Sequence, residues 1–451
     1  MPRPVVYLVY NLLLPLILVI GLPSLLTKGF RRGGLARNFR HRFGIFPNDT
    51  VARFRGKKPV WIHAVSVGEI FLALKIVEAI RQAEPERHIV LSTTTTTGYR
   101  VAAEKESDTL TVIHNPVDLP FITARVIRLI DPSRLVLVEA EIWPNLIAQL
   151  KRRGIPVVLI NARLSPRSER RYLTVKSLIA PVFSLLDGVT VPFETDQARW
   201  AGLGVPRERL FVTGSVKFDN AGGGTAAEAL QRTLSQWLTD TGMPGARRLL
   251  IAGSTHDGEE KLIALVADRL RVEIPELALV IVPRHAERGG TIAAQLRGLG
   301  FDPVLRVEPD KAESDSKASQ AEPSPSRRGR VWIANTTGEL RSWFHLAEIV
   351  VIGKSFCSEG GQNPVEPILC GKPVIAGPHM ENFSDVVGDL LAAEGICQVP
   401  GEEALPTALL TLLREPDLGL AMARSGAAAM ARHEGAAIRN ATFLLAVKAV
   451  D

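Results

Sequence analysis

Five short runs rich in branched aliphatic residues, Val60 to Ala64, Ile89 to Ser92, Leu135 to Val138, Val157 to Ile160 and Gly188 to Val191, recur with helix-length segments between them. No other feature constrains the fold as much, because strands spaced by helical crossovers build a parallel, doubly wound sheet. A polar, alanine-rich stretch around Gly222 to Gly224 interrupts the pattern. It then resumes at Leu249 to Ala252, Ala278 to Val282, Val331 to Ala334, Ile349 to Ile352 and Pro373 to Ile375. The expected class is α/β, with two Rossmann-like doubly wound domains enclosing a cleft at the carboxyl ends of their strands. The predicted boundaries are 59–220 and 247–435, a linker at 221–246, and a helical segment at 436–451 that packs back on the first domain. Residues 308–330, polar and rich in Ser and Pro, read as an unstructured insertion.

Residues 1–58 read as a membrane element. Pro4 to Thr27 carries no charge, and Val5 to Leu26 approaches the roughly 20 apolar residues a bilayer span needs. Pro15 and Pro23 leave open a helix lying in the inner leaflet. Ten Lys/Arg against the single acid Asp49 lie between Lys28 and Lys58, so the formal net charge of +7 is mostly a local patch. Basic residues after an apolar run place the remainder on the cytoplasmic side of the inner membrane. Phe30, Phe39, Phe43, Ile45 and Phe46 interleave with the arginines, as on a surface pressed against anionic lipid head groups. A patch adjoining an anchor argues against nucleic acid as the partner. Cys357, Cys370 and Cys397 lack metal-ligand spacing, and they read as buried thiols of a reducing compartment, with neither disulfide nor metal. The sequence assigns no oligomeric state.

Candidate chemistry falls at the strand-to-helix corners. In Ser66-Val67-Gly68-Glu69 two readings stand together: a capping box that closes the first helical turn, or an open corner at Gly68 with Glu69 as a base aimed at substrate. Ser92 to Gly98, which includes Thr97, is a hydroxyl-rich loop. Glu139 and Glu141 lie just past a strand, with Pro144 opening a helix. Three carboxylates on one face suit polyol hydroxyls, and Arg163 with the arginines after it supplies a cationic counterpart or a solvated face. In the second half, Gly253 to Glu260 offers Ser254, other hydroxyls and N–H groups to an anion. Pro283-Arg284-His285 closes the next strand, and Thr337-Gly338-Glu339 makes a third corner. In Gly360 to Glu366, Asn363 reads as an N-cap, Pro364 as N1 and Glu366 as the N3 acid beside Val365, while Gly360 and Gly361 let a ligand approach. All four corners on one sheet edge suggest a nucleotide site. Neither Gly-x-Gly-x-x-Gly nor a P-loop is present, so nicotinamide and P-loop ATPase readings lose support.

Nine motifs in order make the chain resemble the 3-deoxy-D-manno-octulosonic acid (Kdo) transferases of lipopolysaccharide synthesis, inverting family 30 enzymes of the GT-B fold. They are His63 to Glu69, Ser92 to Tyr99, Glu139 to Asn145, Asn161 to Ser165, Thr213 to Asp219, Ser254 to Glu260, Pro283 to Arg288, Thr337 to Leu340 and Gly360 to Pro367. The resemblance implies transfer of Kdo from CMP-Kdo to a lipid A precursor without a metal or other cofactor. It implies Glu69 as catalytic base and one of Glu139 and Glu141, with Lys217, in support of the transition state. It places CMP at Arg284, Thr337 to Glu339 and Asn363 to Glu366. Ser66, Gly68, Thr97 and Arg163 are the acceptor-side candidates. Gly353-Lys354-Ser355 departs from the family's Gly-Gly-Ser-type turn, which leaves the donor contacts near Lys354 open. The alternatives are a membrane-associated GT-B transferase using a UDP-sugar and a non-catalytic membrane tether.

Overall fold

All ten predicted runs form strands, and four further short strands join them. The computed structural model describes residues 3–31, 39–164, 166–219, 225–243, 248–306 and 328–450. The predicted insertion therefore falls, up to residue 327, outside the described residues, as do residues 32–38 of the basic segment. The first sheet contains β1 (Val60–His63), β2 (Ile89–Thr93), β3 (Leu110–His114), β4 (Arg134–Val138), β5 (Val157–Ile160), β6 (Gly188–Val191) and β7 (Leu210–Val212). Its order is β3-β2-β1-β4-β5-β6-β7, with every pair parallel. The second contains β8 (Arg248–Thr255), β9 (Leu277–Pro283), β10 (Asp302–Leu305), β11 (Arg330–Ile333), β12 (Ile349–Ile352), β13 (Val374–Ala376) and β14 (Cys397–Gln398). It is again parallel throughout, in the order β10-β11-β9-β8-β12-β13-β14.

Helices cover both faces of a parallel sheet, so its central strands are buried on both sides and read as continuous apolar runs. In β1 the alternation of faces is visible: Trp61 enters one core with Leu135 and Leu146, while Val60 and Ile62 enter the other with Leu91 and Val136. The second core also takes Ala441 and Leu444 of the helix Ala436–Ala446, which lies against the helix Val67–Ala83. The chain divides into two compact units, Met1–Asp219 with His433–Asp451, and Asn220–Arg432. Within the first unit, the Asp219 carboxylate accepts the N–H groups of Gly435 at 3.0 Å and Ala437 at 2.6 Å, closing the start of that returning helix. The stretch read as linker contains the helix Thr225–Asp240, whose Trp237 meets Trp343 edge-on with ring centroids 6.0 Å apart.

The apolar amino-terminal run is helical from Arg3–Arg31. Among the described residues no helix is long and apolar enough to cross a membrane, so the spanning anchor gains no support. The early turns of this helix instead dock on the first unit. Val6 is buried in its core, the Tyr10 hydroxyl donates to Asp118 at 2.9 Å, and Asn11 and Asn145 exchange amide hydrogen bonds at 3.1 and 2.8 Å. Leu8, Leu12, Leu13, Leu16 and Ile20 point outward and are exposed. The basic segment also differs from the expectation of a wholly lipid-facing surface. Phe46 packs inward against Phe54, whose helix Asn48–Phe54 contributes Val51 to the core; Phe43 and Ile45 stay exposed. Cys357 is exposed and Cys370 and Cys397 are half-buried, so the three free thiols are not the buried set the sequence suggested.

Candidate active site

The winding of the first sheet reverses between β1 and β4. Loops after the two strands flanking such a reversal diverge and leave a crevice. Glu69 follows β1 and Glu139 and Glu141 follow β4, so topology alone brings together acids seventy residues apart in sequence.

Glu69 sits in the first turn of the helix Val67–Ala83 and is 9% exposed. Its Oε1 accepts the Ser66 hydroxyl at 2.8 Å, its Oε2 accepts the Val65 N–H at 2.8 Å, and its own N–H donates to Ser66 Oγ at 3.3 Å. This is a capping box shifted by one residue, since the acid reaches the N–H before the cap rather than that of the cap itself. The bland reading therefore holds in the empty chain. Gly68 adds something the cap does not require. A Cβ there would meet nothing nearer than Ser66 Oγ at 3.9 Å, so the fold makes no demand for glycine and the absent side chain leaves the corner open.

Glu139 and Glu141 are half-buried beside it. Burial, and next the Glu69 charge, push the Glu139 carboxyl above its ordinary range, while Lys217 and Arg163 pull it back. Burial pushes Glu141 to about 7, helped by Glu69 and Glu139. Lys217 in turn is held below the usual lysine range by burial first and then by Arg163. Three acids and two cations thus sense one another across a single corner group, an arrangement in which protonation of one acid depends on its neighbours. Glu139 adopts a left-handed φ of 64°, uncommon for a residue with a Cβ, and its N–H donates to the Ile160 carbonyl at 3.0 Å. Thr97 is exposed on the next helix of the same edge, Thr96–Ala103.

A carboxyl whose folded value lies above its ordinary one binds its proton more tightly in the folded chain. Its favourable contribution is full at low pH and is lost as pH rises through about 7 for Glu141. Raising the pH from about 5 to about 8 should therefore lower the melting temperature of the wild type more than that of Glu141→Gln. Equal losses in the two proteins would exclude Glu141 as a source of the slope.

The second unit gathers its predicted corners on one edge as well. Ser254 lies at the end of β8 and His256 just after it, Arg284 and His285 follow β9, Thr337 to Glu339 follow β11, and Lys354 follows β12. Its winding reverses between β8 and β12. The detail corrects three expectations. Of the N–H groups read as available to an anion at the β8 corner, that of His256 is taken from within, together with three from the loop after β12. Glu259, 0% exposed, accepts His256 N–H at 2.9 Å and Lys354 N–H at 2.6 Å on Oε2, and Ser355 N–H at 2.9 Å and Phe356 N–H at 3.0 Å on Oε1. Glu339 is likewise committed, accepting two Arg306 N–H groups at 2.8 and 2.9 Å as well as the Thr336 hydroxyl, while Thr337 and Gly338 remain exposed.

The third correction concerns Asn363 to Glu366. The helix here is Val365–Leu369 with Pro364, not Asn363, at the cap position; Asn363 Oδ1 accepts the Val365 N–H at 3.1 Å as an Asx turn. Nor are the glycines ahead of it spare. Gly360 and Gly361 have φ of 116° and 67°, and a Cβ at Gly361 would lie 2.5 Å from Met380 Sδ. The chain itself demands glycine there. Pro283 and Val365 are buried framework, Glu366 is half-buried, and Arg284 and His285 are exposed with no acid placed on Arg284 among the described residues. Sequence reasoning missed Glu259 and Arg306 because their partners lie far along the chain; the surplus acid pair Glu259-Glu260 was the available signal.

Two α/β units, each built on a parallel seven-stranded sheet, are the architecture of the GT-B-like fold class. The fold likeness extends to the UDP-GlcNAc 2-epimerase of Neisseria meningitidis, with TM-score 0.54, 14% identity and coverage of 86% of this chain and 99% of that one. It extends also to Anabaena HepE, solved with UDP, with TM-score 0.51, 13% identity and coverage of 86% and 99%. Residues 37–220 match the 3-deoxy-D-manno-octulosonic-acid transferase (kdotransferase) family. The 3-deoxy-D-manno-octulosonic acid transferase of Haemophilus influenzae is 31% identical over 424 residues, 94% of this chain and 93% of the relative. That of Bordetella pertussis is 32% identical over 390 residues, 84% and 85% of the two chains. The chain belongs to the Kdo transferase family.

Proposed function

We propose that the chain moves Kdo from CMP-Kdo to a hydroxyl of a phosphorylated lipid A precursor, on the cytoplasmic face of the inner membrane. The observation that carries this reading is the group of Glu69, Glu139, Glu141, Arg163 and Lys217 at the reversal point of the first sheet, in a chain of this family. Sugar transfer from a nucleotide passes through a state in which the anomeric carbon is cationic, the acceptor oxygen is losing its proton and the leaving phosphate is gaining charge. In the proposed step the acceptor hydroxyl replaces Ser66 on Glu69 Oε1 while the Val65 N–H keeps Oε2 and so fixes the carboxylate's orientation. The proton passes to Glu69 as the acceptor oxygen bonds to the anomeric carbon, and the bond from that carbon to the phosphate oxygen breaks to release CMP. Glu139 and Glu141 favour positive charge at the anomeric carbon. Lys217 and Arg163 keep that many acids tolerable and lie ready for anionic groups of the substrates.

On this reading Ser254, Arg284, Thr337, Gly338 and the Asn363 to Glu366 turn hold CMP, with Glu366 suited to a ribose diol and Arg284 to the phosphate. The reaction as written calls on no metal. Asn363→Ala and Glu366→Ala should each weaken CMP binding by about tenfold, roughly 1.4 kcal/mol, measurable by calorimetry. The exposed leucines of the helix Arg3–Arg31 and the basic segment would hold the first unit at the bilayer that contains the acceptor. The deciding experiment is mass spectrometry of the product from CMP-Kdo and a tetraacylated, bisphosphorylated lipid A precursor. No Kdo-bearing lipid, or inhibition by UDP in place of CMP, would overturn the proposal.

A further inference from the structure

The sheet edge that carries Glu69 holds a second group of polar side chains, several of whose buried atoms have no hydrogen-bond partner among the described residues. His41, in the turn Phe39–Phe43, is 3% exposed, and neither of its ring nitrogens has a hydrogen-bond partner. His114 closes β3 and is buried with Nδ1 unpaired; the next residue, Asn115, is buried with Oδ1 unpaired, and Thr94 in the loop after β2 has its Oγ1 buried and unpaired. These residues meet. The His41 and His114 rings lie 6.3 Å apart, Tyr99 stacks on His114 at 4.4 Å with an interplanar angle of 21°, and Arg42 donates to the Thr94 carbonyl.

Each unpaired buried polar atom costs on the order of 1–3 kcal/mol, so several at one place point to a missing group that supplies their hydrogen bonds. Its sign follows from the cluster. Arg42 is half-buried and desolvated, and among the described residues no carboxylate pairs with it. His41 and His114 add no acid, and burial holds both rings down to about 4 as neutral imidazoles; His41 can donate one N–H into the cluster, whereas His114 spends its own on the Thr93 backbone and presents Nδ1 as an acceptor. A guanidinium, the His41 N–H and a hydroxyl, with no negative charge among them, match the acceptor oxygens of a phosphate, and the P–OH of its singly protonated form would supply a proton to the unpaired His114 Nδ1 or Asn115 Oδ1. A neutral sugar hydroxyl would leave the Arg42 charge unmet. The place is tied to the reacting corner, because the Thr93 and Thr95 hydroxyls donate to the Val65 carbonyl at 3.2 and 3.1 Å, and Val65 is the residue whose N–H holds Glu69.

We propose that Arg42, His41, His114 and Thr94 form a binding site for a phosphate monoester and, resting on the reading above, that this phosphate is carried by the lipid acceptor. The phosphate would then fix which acceptor hydroxyl reaches Glu69.

The test uses the full chain in detergent. Histidine-labelled wild type is titrated with inorganic phosphate, then with vesicles of phosphatidylglycerol, while the His41 and His114 resonances are followed. The site requires both to shift with phosphate, their titration moving upward, and the shifts to disappear in Arg42→Met. Resonances indifferent to phosphate would mean that water alone fills the cluster and would overturn the site, whatever the enzyme's activity. Shifts produced by the vesicles and not by phosphate would assign it to a lipid head group and overturn the acceptor assignment. In kinetics, Arg42→Met should raise the acceptor KM about tenfold with the KM for CMP-Kdo unchanged, and only for the phosphorylated acceptor. An equal loss on a dephosphorylated acceptor would reduce Arg42 to a structural role.

Discussion

Replacing Glu69 by glutamine is expected to remove about 100-fold or more of turnover while leaving CMP affinity within about twofold. Glutamine is nearly the same size and keeps one carbonyl oxygen for the Val65 N–H, so the first helical turn should survive. What it loses is the capacity to take a proton. The acceptor KM should change little, because the hydroxyl can accept from the amide N–H that takes the place of Oε1. Glu69→Asp makes a second comparison: it keeps the charge but draws the carboxylate back by one methylene, out of reach of Ser66 and Val65 as now spaced at 2.8 Å. It should be slow and also less stable. Full turnover by Glu69→Gln would remove the base from the mechanism and leave Glu69 as a cap.

The largest expected effect on stability lies in the second unit, at Glu259. Its two oxygens accept four backbone N–H groups, from His256, Lys354, Ser355 and Phe356, and the residue is fully buried. Substitution by alanine strands all four donors where water does not reach easily. It should cost at least about 3 kcal/mol, since each unmet buried donor costs on the order of 1–3 kcal/mol. Glu259→Gln should fall between alanine and wild type, because one oxygen remains and the amide nitrogen faces two N–H groups. Denaturant unfolding followed by the tryptophans of the second unit gives the reading; a change below about 1 kcal/mol for alanine would mean that the four N–H groups find other acceptors. Lys354 belongs to the same arrangement. It stands at φ 55° between Gly353 and Ser355, and its N–H group is one of the four donors held by Glu259.

The strands legible from sequence were those in the middle of each sheet, where burial on both faces leaves unbroken apolar runs. The four that escaped are the edge strands of the two sheets; β3, although fully buried, interleaves Thr111 and His114 with its aliphatic residues. β7 has three residues, β14 has two, and β10 contains Pro303, which is tolerated at an edge because it need not donate to a ladder. At the site, residue types at corners were legible because a parallel sheet forces its loops to one edge. Their hydrogen-bond commitments were not. Glu339 looked like a free acid until Arg306, 33 residues earlier, took both its oxygens, and Glu259 looked like part of an open corner until a loop 95 residues later closed over it. The same limitation reversed the meaning of the glycines. Gly68, which local sequence explains as part of a cap, has free space around it, whereas Gly361, which looked spare, is fixed by Met380.

The seam formed by Tyr10, Asn11, Asp118 and Asn145 bears on how such a protein is made and handled. Asp118 accepts the Tyr10 hydroxyl and the N–H groups of Asn145 and Leu146, so its carboxylate is roofed by a helix that is otherwise a strip of leucines. An asparagine in the middle of such a strip is costly in hydrocarbon and welcome against Asn145, so the helix carries within its own sequence a preference for returning to its domain rather than sinking into lipid. Trimming it to gain solubility would uncover a carboxylate and an amide directly behind the loop bearing Glu139 and Glu141. The shortened protein would be easier to keep in water and less well ordered at the place where the reaction is proposed to occur.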